Sequence, residues 1–510
     1  MTALAKNIPV AVIGAGAMGA GIAQIAAAAV YDVLLYDTQF EAVQKAIANI
    51  EKVLAKLVEK GKMTADSQAT LLAHLKPCQA LTDIAPAGLV VEAIIENLEI
   101  KRKVFADIEN IVSEETILAS NTSSISITSI AAHLKRPQNF VGMHFFNPVP
   151  LMQLVEIIQG LATSAAIAQT TYDTALVWGK SPVMAKSTPG FIVNRVARPF
   201  YAEGLRVLQE NGSNIATLDA IAREQGGFRM GPFELMDLIG HDVNFAVTSS
   251  VFAAYFNDQR FLPNLIQKEL VDGGYLGRKT GRGFYHYTEG AEKPAPHTAE
   301  VQNPPYKVTV YGNLGVANSL VHLMKATGIL VDEKKLDDHD GGFLVLEDRV
   351  ILALTDGRMA TERQAQGQLK NLVLFDLALD YSKATRMALA KSDQTDIEDL
   401  ELAAGLFQEL GKTVSYMDDV PGMLMMRTVA MLANEGADAV NQGVCHAKAV
   451  DIAMQKGVNY PQGPLAWADQ IGLAYVVRVL ENLAKTYGED RYRVSPLLRR
   501  RVAAGKKCHD

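Results

Sequence analysis

Between Val10 and Tyr31 the chain carries no formal charge, and Gly14-Ala15-Gly16-Ala17-Met18-Gly19 splits that stretch into a short β-rich run and an alanine-rich run. No other feature restricts the fold as tightly. By length alone the stretch would suit a membrane span of about 20 residues, yet Gly14, Gly16, Gly19 and Gly21 interrupt it, and no basic segment with a convincing cleavage site precedes it. The pattern reads instead as strand, tight turn and helix, with neither a signal peptide nor a membrane anchor. In such a GxGxxG turn the first glycine permits the bend, the second lets the backbone approach an anionic group, and the third lets helix and strand pack closely. Met18 is the spacer. The helix N-terminus then offers free N–H groups to a diphosphate.

Asp37 ends the next apolar run, about 20 residues on, where a carboxylate accepts hydrogen bonds from ribose hydroxyls and repels a 2′-phosphate. This argues for NAD rather than NADP; FAD stays open from the glycine motif alone. Candidate strands at Pro9–Ile13, Val33–Tyr36, Leu89–Val91, Thr116–Ala119 and Val141–Phe146 alternate with amphipathic segments, the pattern of a doubly wound α/β sheet. From Glu41 to about Leu75 the apolar spacing predicts two helices broken at Gly61, an excursion from the sheet. From Gly190 to about Asp272 the signals are helical, and a proline-rich linker follows at Pro294–Pro305.

A chain of 510 residues, 49% hydrophobic and 21% charged, has material for about three globular domains. Its three cysteines, Cys78, Cys445 and Cys508, are far apart and form no CxxC or Cys/His cluster, so neither a disulfide framework nor a metal site is expected. A reducing cytoplasm suits that usage. The net charge of -7, with both signs interspersed, argues against a nucleic-acid partner.

An ungapped internal repeat runs through the second half, with Arg427 lying 232 residues after Arg195. At that displacement Gly179-Lys180 meets Gly411-Lys412, Pro189-Gly190 meets Pro421-Gly422, and Glu203-Gly204 meets Glu435-Gly436. Asp219, Gly231-Pro232, Asp237 and Gly240 meet Asp451, Gly463-Pro464, Asp469 and Gly472. A helical domain therefore occurs twice. Between the copies, Val308–Tyr311, Val350–Leu354 and Leu372–Phe375 read as strands with no glycine-rich turn, a reduced and cofactor-free relative of the first domain. The expected order is a dinucleotide-binding domain over 1–188 and a helical domain over 189–290. A linker over 291–328, a reduced sheet over 329–405 and the second helical domain over 406–510 follow.

Three motifs occur in sequence: Ser120-Asn121-Thr122-Ser123-Ser124, Gly142-Met143-His144-Phe145-Phe146-Asn147-Pro148 and Gly190-Phe191-Ile192-Val193-Asn194-Arg195. Together with the glycine turn they resemble the 3-hydroxyacyl-CoA dehydrogenase family, in its long bacterial form, over residues 8 to about 286 and again about 410 to 505. The resemblance implies a Rossmann-type sheet followed by an all-α domain, a reduced Rossmann-like segment and a second all-α copy. It implies NAD-dependent oxidation of a (3S)-3-hydroxyacyl-CoA to the 3-oxo thioester, in fatty-acid or aromatic (phenylacetate) breakdown. His144 takes the place of the general base, suited by a pKa near neutrality, and Glu156 that of the carboxylate that orients it. Ser123 and Asn194 take the places of the groups that hydrogen-bond the substrate oxygen. Cofactor contacts fall on Gly14, Gly16, Met18, Gly19, Asp37, Glu96, Lys101, Ser123, Asn147 and Lys279. Lys60 matches a lysine on the coenzyme A phosphates, with Lys52, Lys56 and Lys62 as rivals on the same segment.

Plainer readings stand beside these. His144 could be a core histidine between apolar neighbours, Glu156 an edge-strand glutamate facing water, Asn194 a helix cap, and Lys101 and Lys279 solvated lysines. Asn194 meets Met426 in the repeat and His144 meets Asp376, while Glu156 meets Met387 or its neighbour, so one active site per chain is expected. Short members of the family pair two helical domains across a dimer interface; here both copies lie in one chain, a pseudo-dimer that could still form homo-oligomers. A CoA-independent sugar-acid dehydrogenase and a non-catalytic crystallin-like relative are the alternatives.

Overall fold

The uncharged stretch folds as β1 (Val10–Ile13), the glycine turn and α1 (Ala17–Ala28). Each later strand in the first sheet is placed by the same alternation. In the computed structural model, which describes residues 2–336, 341–367 and 369–510, β2 (Val33–Tyr36) is followed by α2 (Phe40–Glu59) and α3 (Ala65–Ala73). Gly61, at φ +65°, takes the turn between the two helices that its position predicts. Then come β3 (Leu75–Cys78), β4 (Leu89–Glu92), α4 (Leu98–Glu109), β5 (Ile117–Ser120), β6 (Phe140–Phe145), β7 (Leu154–Gln159) and β8 (Ser181–Lys186). The eight strands lie in the order β3-β2-β1-β4-β5-β6-β7-β8. All neighbours are parallel except β6 and β7, which place His144 opposite Glu156. The central strands β1, β4 and β6 are buried along their whole length, the condition that gives continuous apolar runs in a sheet covered on both faces.

The candidate strands omitted β3, β7 and β8. Of these, β3 and β8 are the edge strands of this sheet and each carries a proline, Pro77 and Pro182, which an edge tolerates and a central strand does not.

A second sheet contains β9 (Lys307–Tyr311), β10 (Leu330–Lys334), β11 (Phe343–Leu346), β12 (Val350–Leu354), β13 (Leu372–Phe375), β14 (Arg386–Lys391) and β15 (Thr413–Tyr416), in the order β10-β9-β11-β12-β13-β14-β15. It is wider than 329–405: β9 and the helix Ser319–Lys325 lie in the stretch expected as linker, and β15 in the stretch expected as helical. The turn after β9 holds two glycines, Gly312 and Gly315, both at positive φ, where none was expected. It leads only into a single 3₁₀ turn and a short helix.

The repeat extends into the sheets. Strands β13, β14 and β15 each begin 232 residues after β6, β7 and β8 and repeat their antiparallel and parallel pairings. The chain divides into two units, 1–195 with 442–458 and 196–441 with 459–510. In the first, the helix Ala447–Gly457, from the second helical copy, packs on β7 and β8. Lys186 donates its N–H to Val444 O at 2.9 Å. In the second, the corresponding helix of the first copy, Ile215–Glu224, packs on β14. Arg386 pairs there with Glu224 at 2.9 Å, and Gln225 Oε1 accepts the Ala388 N–H at 2.8 Å. Among the described residues no helix is long and apolar enough to cross a membrane.

Candidate active site

The glycine turn has the shape its sequence requires. Gly14 has φ +101°, and a side chain there would stand 2.6 Å from Ala93 O; a Cβ on Gly19 would stand 1.8 Å from Gly14 O. At Gly16 nothing lies within 4 Å of a Cβ position, and no side chain caps α1. Its first-turn N–H groups therefore face open space, the arrangement that receives a diphosphate. Asp37 leaves β2 beside this turn, with Oδ2 accepting Ala15 N–H at 2.8 Å and Oδ1 accepting Gln39 N–H at 3.0 Å. Oδ1 also accepts Thr38 Oγ1 at 3.4 Å, and Oδ2 keeps a further lone pair for a ribose hydroxyl. The residues thus fit a dinucleotide.

Beyond the turn lies a cleft of about 340 Å³ in the first unit. Met18, Glu96, Lys101, Ser123, His144, Asn147 and Asn194 all line it. Seven expected site residues are thereby brought together from five separate chain segments.

His144 is buried on β6, its Nδ1 2.6 Å from Glu156 Oε2 on the facing strand. Glu156 has no exposed surface, and its Oε1 accepts the N–H groups of Ile192 at 2.9 Å and Val193 at 3.0 Å. It is no edge glutamate, because β8 covers the strand's other side. Buried carboxylates survive only when their lone pairs are satisfied, and this one is held by the ring on one oxygen and by the start of the helix Val193–Val196 on the other. With Nδ1 engaged as donor to the carboxylate, Nε2 is the ring nitrogen left with a lone pair. Phe146 and Phe191 pack around the imidazole, with ring centres 4.5 and 5.8 Å away. Asn194 sits inside the helix that Glu156 caps, so its amide is not needed as the cap.

A second buried network supports the floor. Glu92 Oε1 accepts Lys101 Nζ at 2.6 Å and its Oε2 accepts Ser120 Oγ at 2.7 Å. Lys101 is 1% exposed, which excludes the solvated reading. Glu96 Oε1 accepts Thr122 Oγ1 at 2.6 Å, Ser124 Oγ at 2.9 Å and the N–H groups of Ser123 and Ser124 at 3.0 Å. Burial works against its ionisation, but those bonds and the Lys101 charge outweigh it and hold the carboxyl below its ordinary range. The loop bearing Ser123 is fixed in this way. Lys60 lies exposed at the end of α2, outside the cleft lining, as do Lys52, Lys56 and Lys62. Lys279 belongs to the second unit, where it pairs with Asp242 at 2.6 Å.

Sequence reasoning passed over three residues that shape the site. Asn121 Oδ1 accepts the Phe145 N–H at 2.9 Å, tying the ends of β5 and β6. Glu92 could have been found as the one acid in an apolar strand. Lys180 donates to Val149 O at 2.5 Å and Met152 O at 2.9 Å, pinning the loop after His144, and burial brings its ammonium down to about 8. Its repeat partner Lys412 does the same for Ala384 O, 232 residues after Met152.

The second copy has no such dyad. Asp376 stands at the histidine position and Ala388 at that of Glu156. The Asp376 carboxylate accepts the N–H groups of Leu424, Met425 and Met426, so one acid caps the helix that Glu156 caps in the first copy.

Comparison with known proteins gives a consistent picture. The family model described as 3-hydroxyacyl-CoA dehydrogenase, NAD binding domain, matches residues 9–188, and the one described as 3-hydroxyacyl-CoA dehydrogenase, C-terminal domain, matches twice, at 190–287 and 422–509. A model for a 3-hydroxybutyryl-CoA dehydrogenase reduced Rossmann-fold domain matches 352–421. The chain is 44% identical to a 3-hydroxyadipyl-CoA dehydrogenase of Escherichia coli over 97% of both chains. It is 44% identical to a probable 3-hydroxybutyryl-CoA dehydrogenase of Deinococcus radiodurans, over 54% of this chain and 99% of that one. A crystal structure of a 3-hydroxybutyryl-CoA dehydrogenase from Escherichia coli superposes with a TM-score of 0.88 at 42% identity, covering 98% of this chain and 99% of the other.

Proposed function

Because the chain belongs to the 3-hydroxyacyl-CoA dehydrogenase family, an NAD-dependent oxidoreductase of 3-hydroxyacyl-CoA thioesters, we propose that it oxidises the (3S)-3-hydroxyl of a short acyl-CoA through the His144–Glu156 pair. The observation that carries this assignment is the 2.6 Å contact of Nδ1 with a wholly buried carboxylate beside the cleft. Nε2 of His144 takes the hydroxyl proton as the C3–H bond breaks. Glu156 keeps the ring in the tautomer with Nε2 free and stabilises the imidazolium that results. Ser123 and Asn194 donate to the substrate oxygen and hold the carbon–oxygen axis toward the glycine turn. Hydride acceptance is the chemistry that bound NAD supplies, held by Gly14, Gly16, Gly19, Met18 and Asp37, with Glu96, Lys101 and Asn147 beside it. Lys60, with Lys52, Lys56 and Lys62, supplies positive charge for the coenzyme A phosphates.

The substrates are 3-hydroxyacyl chains of the butyryl or adipyl class, in a cytoplasmic route of fatty-acid or phenylacetate breakdown; the buried cysteines Cys78 and Cys445, outside any disulfide, favour that compartment. NADH formation against a panel of (3S)-3-hydroxyacyl-CoAs, with the (3R) forms as controls, tests the reading. Turnover of (3S) thioesters is expected, and no NADH from any of them would overturn it. The same assay tests Asp37. Two like charges about 4 Å apart repel by on the order of 1–4 kcal/mol near a protein surface, so kcat/KM with NAD should exceed that with NADP by roughly one to three orders of magnitude. Equal turnover would remove Asp37 from the ribose site. The two helical copies form a pseudo-dimer within one chain. Support comes from the helix Ala447–Gly457 lying on β7 and β8 while its repeat partner lies on β14.

A further inference from the structure

Three ionisable side chains of the first unit meet at the floor of the cleft, and their charges do not cancel. Glu92 closes β4, in register with Ile13 of β1 and Ser120 of β5, and has no exposed surface. Its Oε1 accepts Lys101 Nζ at 2.6 Å and the Ile94 N–H at 2.7 Å, and its Oε2 accepts Ser120 Oγ at 2.7 Å. Lys101 is buried with it and stands 3.4 Å from Glu96 Oε2, while the Glu96 side chain is 37% exposed. The nearer carboxylate, shielded from water, is therefore the resident partner of the ammonium.

Glu96 is left with its charge at the cleft, which it lines together with Lys101, Ser123 and His144. The donors to its Oε1 are hydroxyl and N–H groups of Thr122, Ser123 and Ser124; they keep the carboxyl ionised without cancelling its charge. Among the described residues that line the cleft, His144 is the only other titratable one besides Lys101. Two carboxylates against one ammonium thus leave one negative charge. An oxidised nicotinamide ring is a cation and a reduced one is neutral, so a fixed negative charge in the same cleft stabilises the first and is indifferent to the second. When the alcohol is oxidised, the C3 hydrogen leaves with two electrons for the nicotinamide and the hydroxyl proton goes to His144 Nε2. Positive charge then disappears from the cofactor and appears on the imidazole, whose Nδ1 lies 2.6 Å from Glu156. Glu96 favours the charge where it starts, and Glu156 favours it where it ends.

We propose that the Glu92–Lys101–Glu96 cluster discriminates between the two redox forms of the cofactor, its one excess negative charge biasing the cleft toward oxidised NAD over NADH. Glu92 is a positioning residue in this device: by holding the ammonium it keeps Glu96 uncompensated. The inference rests on placing the nicotinamide beside His144, as the function proposed above requires.

The experiment measures dissociation constants for oxidised NAD and for NADH by calorimetry, without substrate, on full chains of wild type, Glu96→Gln, Glu92→Gln and Glu92→Gln/Lys101→Met. The readout is the ratio of the two constants, because a variant that merely loosens the loops weakens both forms alike. Opposite unit charges in contact are worth a factor of about 5 under full solvent screening and more where water is excluded, so Glu96→Gln should shift the ratio roughly 5- to 50-fold toward NADH. Glu92→Gln lies outside the cleft lining but leaves Lys101 to neutralise Glu96, and should shift it the same way by roughly 3- to 10-fold. The double variant removes one charge of each sign, leaves Glu96 uncompensated again, and should return the ratio to within about 2-fold of wild type. A purely structural pair would give no such recovery. Should the variants of the buried pair fail to fold, Glu96→Gln alone decides. An unmoved ratio in Glu96→Gln overturns the proposal, and a double variant that stays shifted as far as Glu92→Gln overturns the part assigned to Glu92. If wild type forms no NADH from any thioester, the proposed function fails, and the ratios still decide this inference because no substrate enters the measurement.

Discussion

His144→Ala should lower kcat by at least about 10²- to 10⁴-fold, the range attributable to a positioned general base, while NADH binding by fluorescence titration changes little. Glu156→Gln should fall in the same range for a more specific reason. The carboxylate serves two sides at once, accepting from His144 Nδ1 on Oε2 and from the Ile192 and Val193 N–H groups on Oε1. An amide has one acceptor oxygen. If that oxygen stays with the backbone donors, the NH₂ faces Nδ1, which must then become an acceptor, and Nε2 carries the proton it should receive. If the amide turns over, two buried N–H groups lose their acceptor at about 1–3 kcal/mol each. The first outcome costs rate alone, and the second costs stability as well. A variant that loses NADH affinity in parallel with activity would mark the residue as structural.

The pairing behind this prediction was only half legible. His144 and Glu156 could each be matched by their motifs, but their contact depends on the antiparallel register of β6 against β7, and a one-residue slip would turn one of them to the opposite face. Glu156 also sits in a run, Leu154–Ile158, whose apolar character says buried without saying which strand lies alongside. The glycine turn was readable in detail because steric exclusion at Gly14 and Gly19 leaves no other residue possible. Edge strands were not, because Pro77 and Pro182 lower the strand signal where the fold tolerates them. Lys101 showed the limit of composition. A lysine early in an amphipathic helix reads as solvated, and only the fold reveals that Glu92, at the end of β4, is within 2.6 Å. Asp376 was visible as a replacement for histidine, yet its capping of Leu424, Met425 and Met426 required the structure.

Truncation near Asn303 should produce aggregation or a weak new homodimer. It removes the helix Ala447–Gly457, whose buried Val450, Ala453 and Met454 belong to the first unit, and leaves the β7–β8 face uncovered. At about 1.5–3 kcal/mol for fully burying a large apolar side chain, Val450 and Met454 alone represent roughly 3–6 kcal/mol. Lys186 N–H also loses Val444 O. A second truncated copy could offer Ile215–Glu224, the repeat partner of the missing helix, but the two docking faces have diverged. On the first sheet Leu154 lies against Gly457, where a Cβ would stand 2.5 Å from its Cδ2. On the second sheet the corresponding positions are Arg386 and Gln225, and the contact is polar, built on Glu224 with Arg386 and Gln225 with Ala388. A copy of Ile215–Glu224 placed on β7 would bring Glu224 and Gln225 onto an apolar face that has no arginine at Leu154 and no room at Gly457. The homodimer should therefore dissociate on dilution, unlike the full chain, whose covalent linkage keeps the native helix at high effective concentration. Sedimentation across a dilution series, with activity measured at each point, separates the outcomes. A truncated chain that stays monomeric, soluble and as stable as the full protein would show that the second helical copy does not complete the first domain.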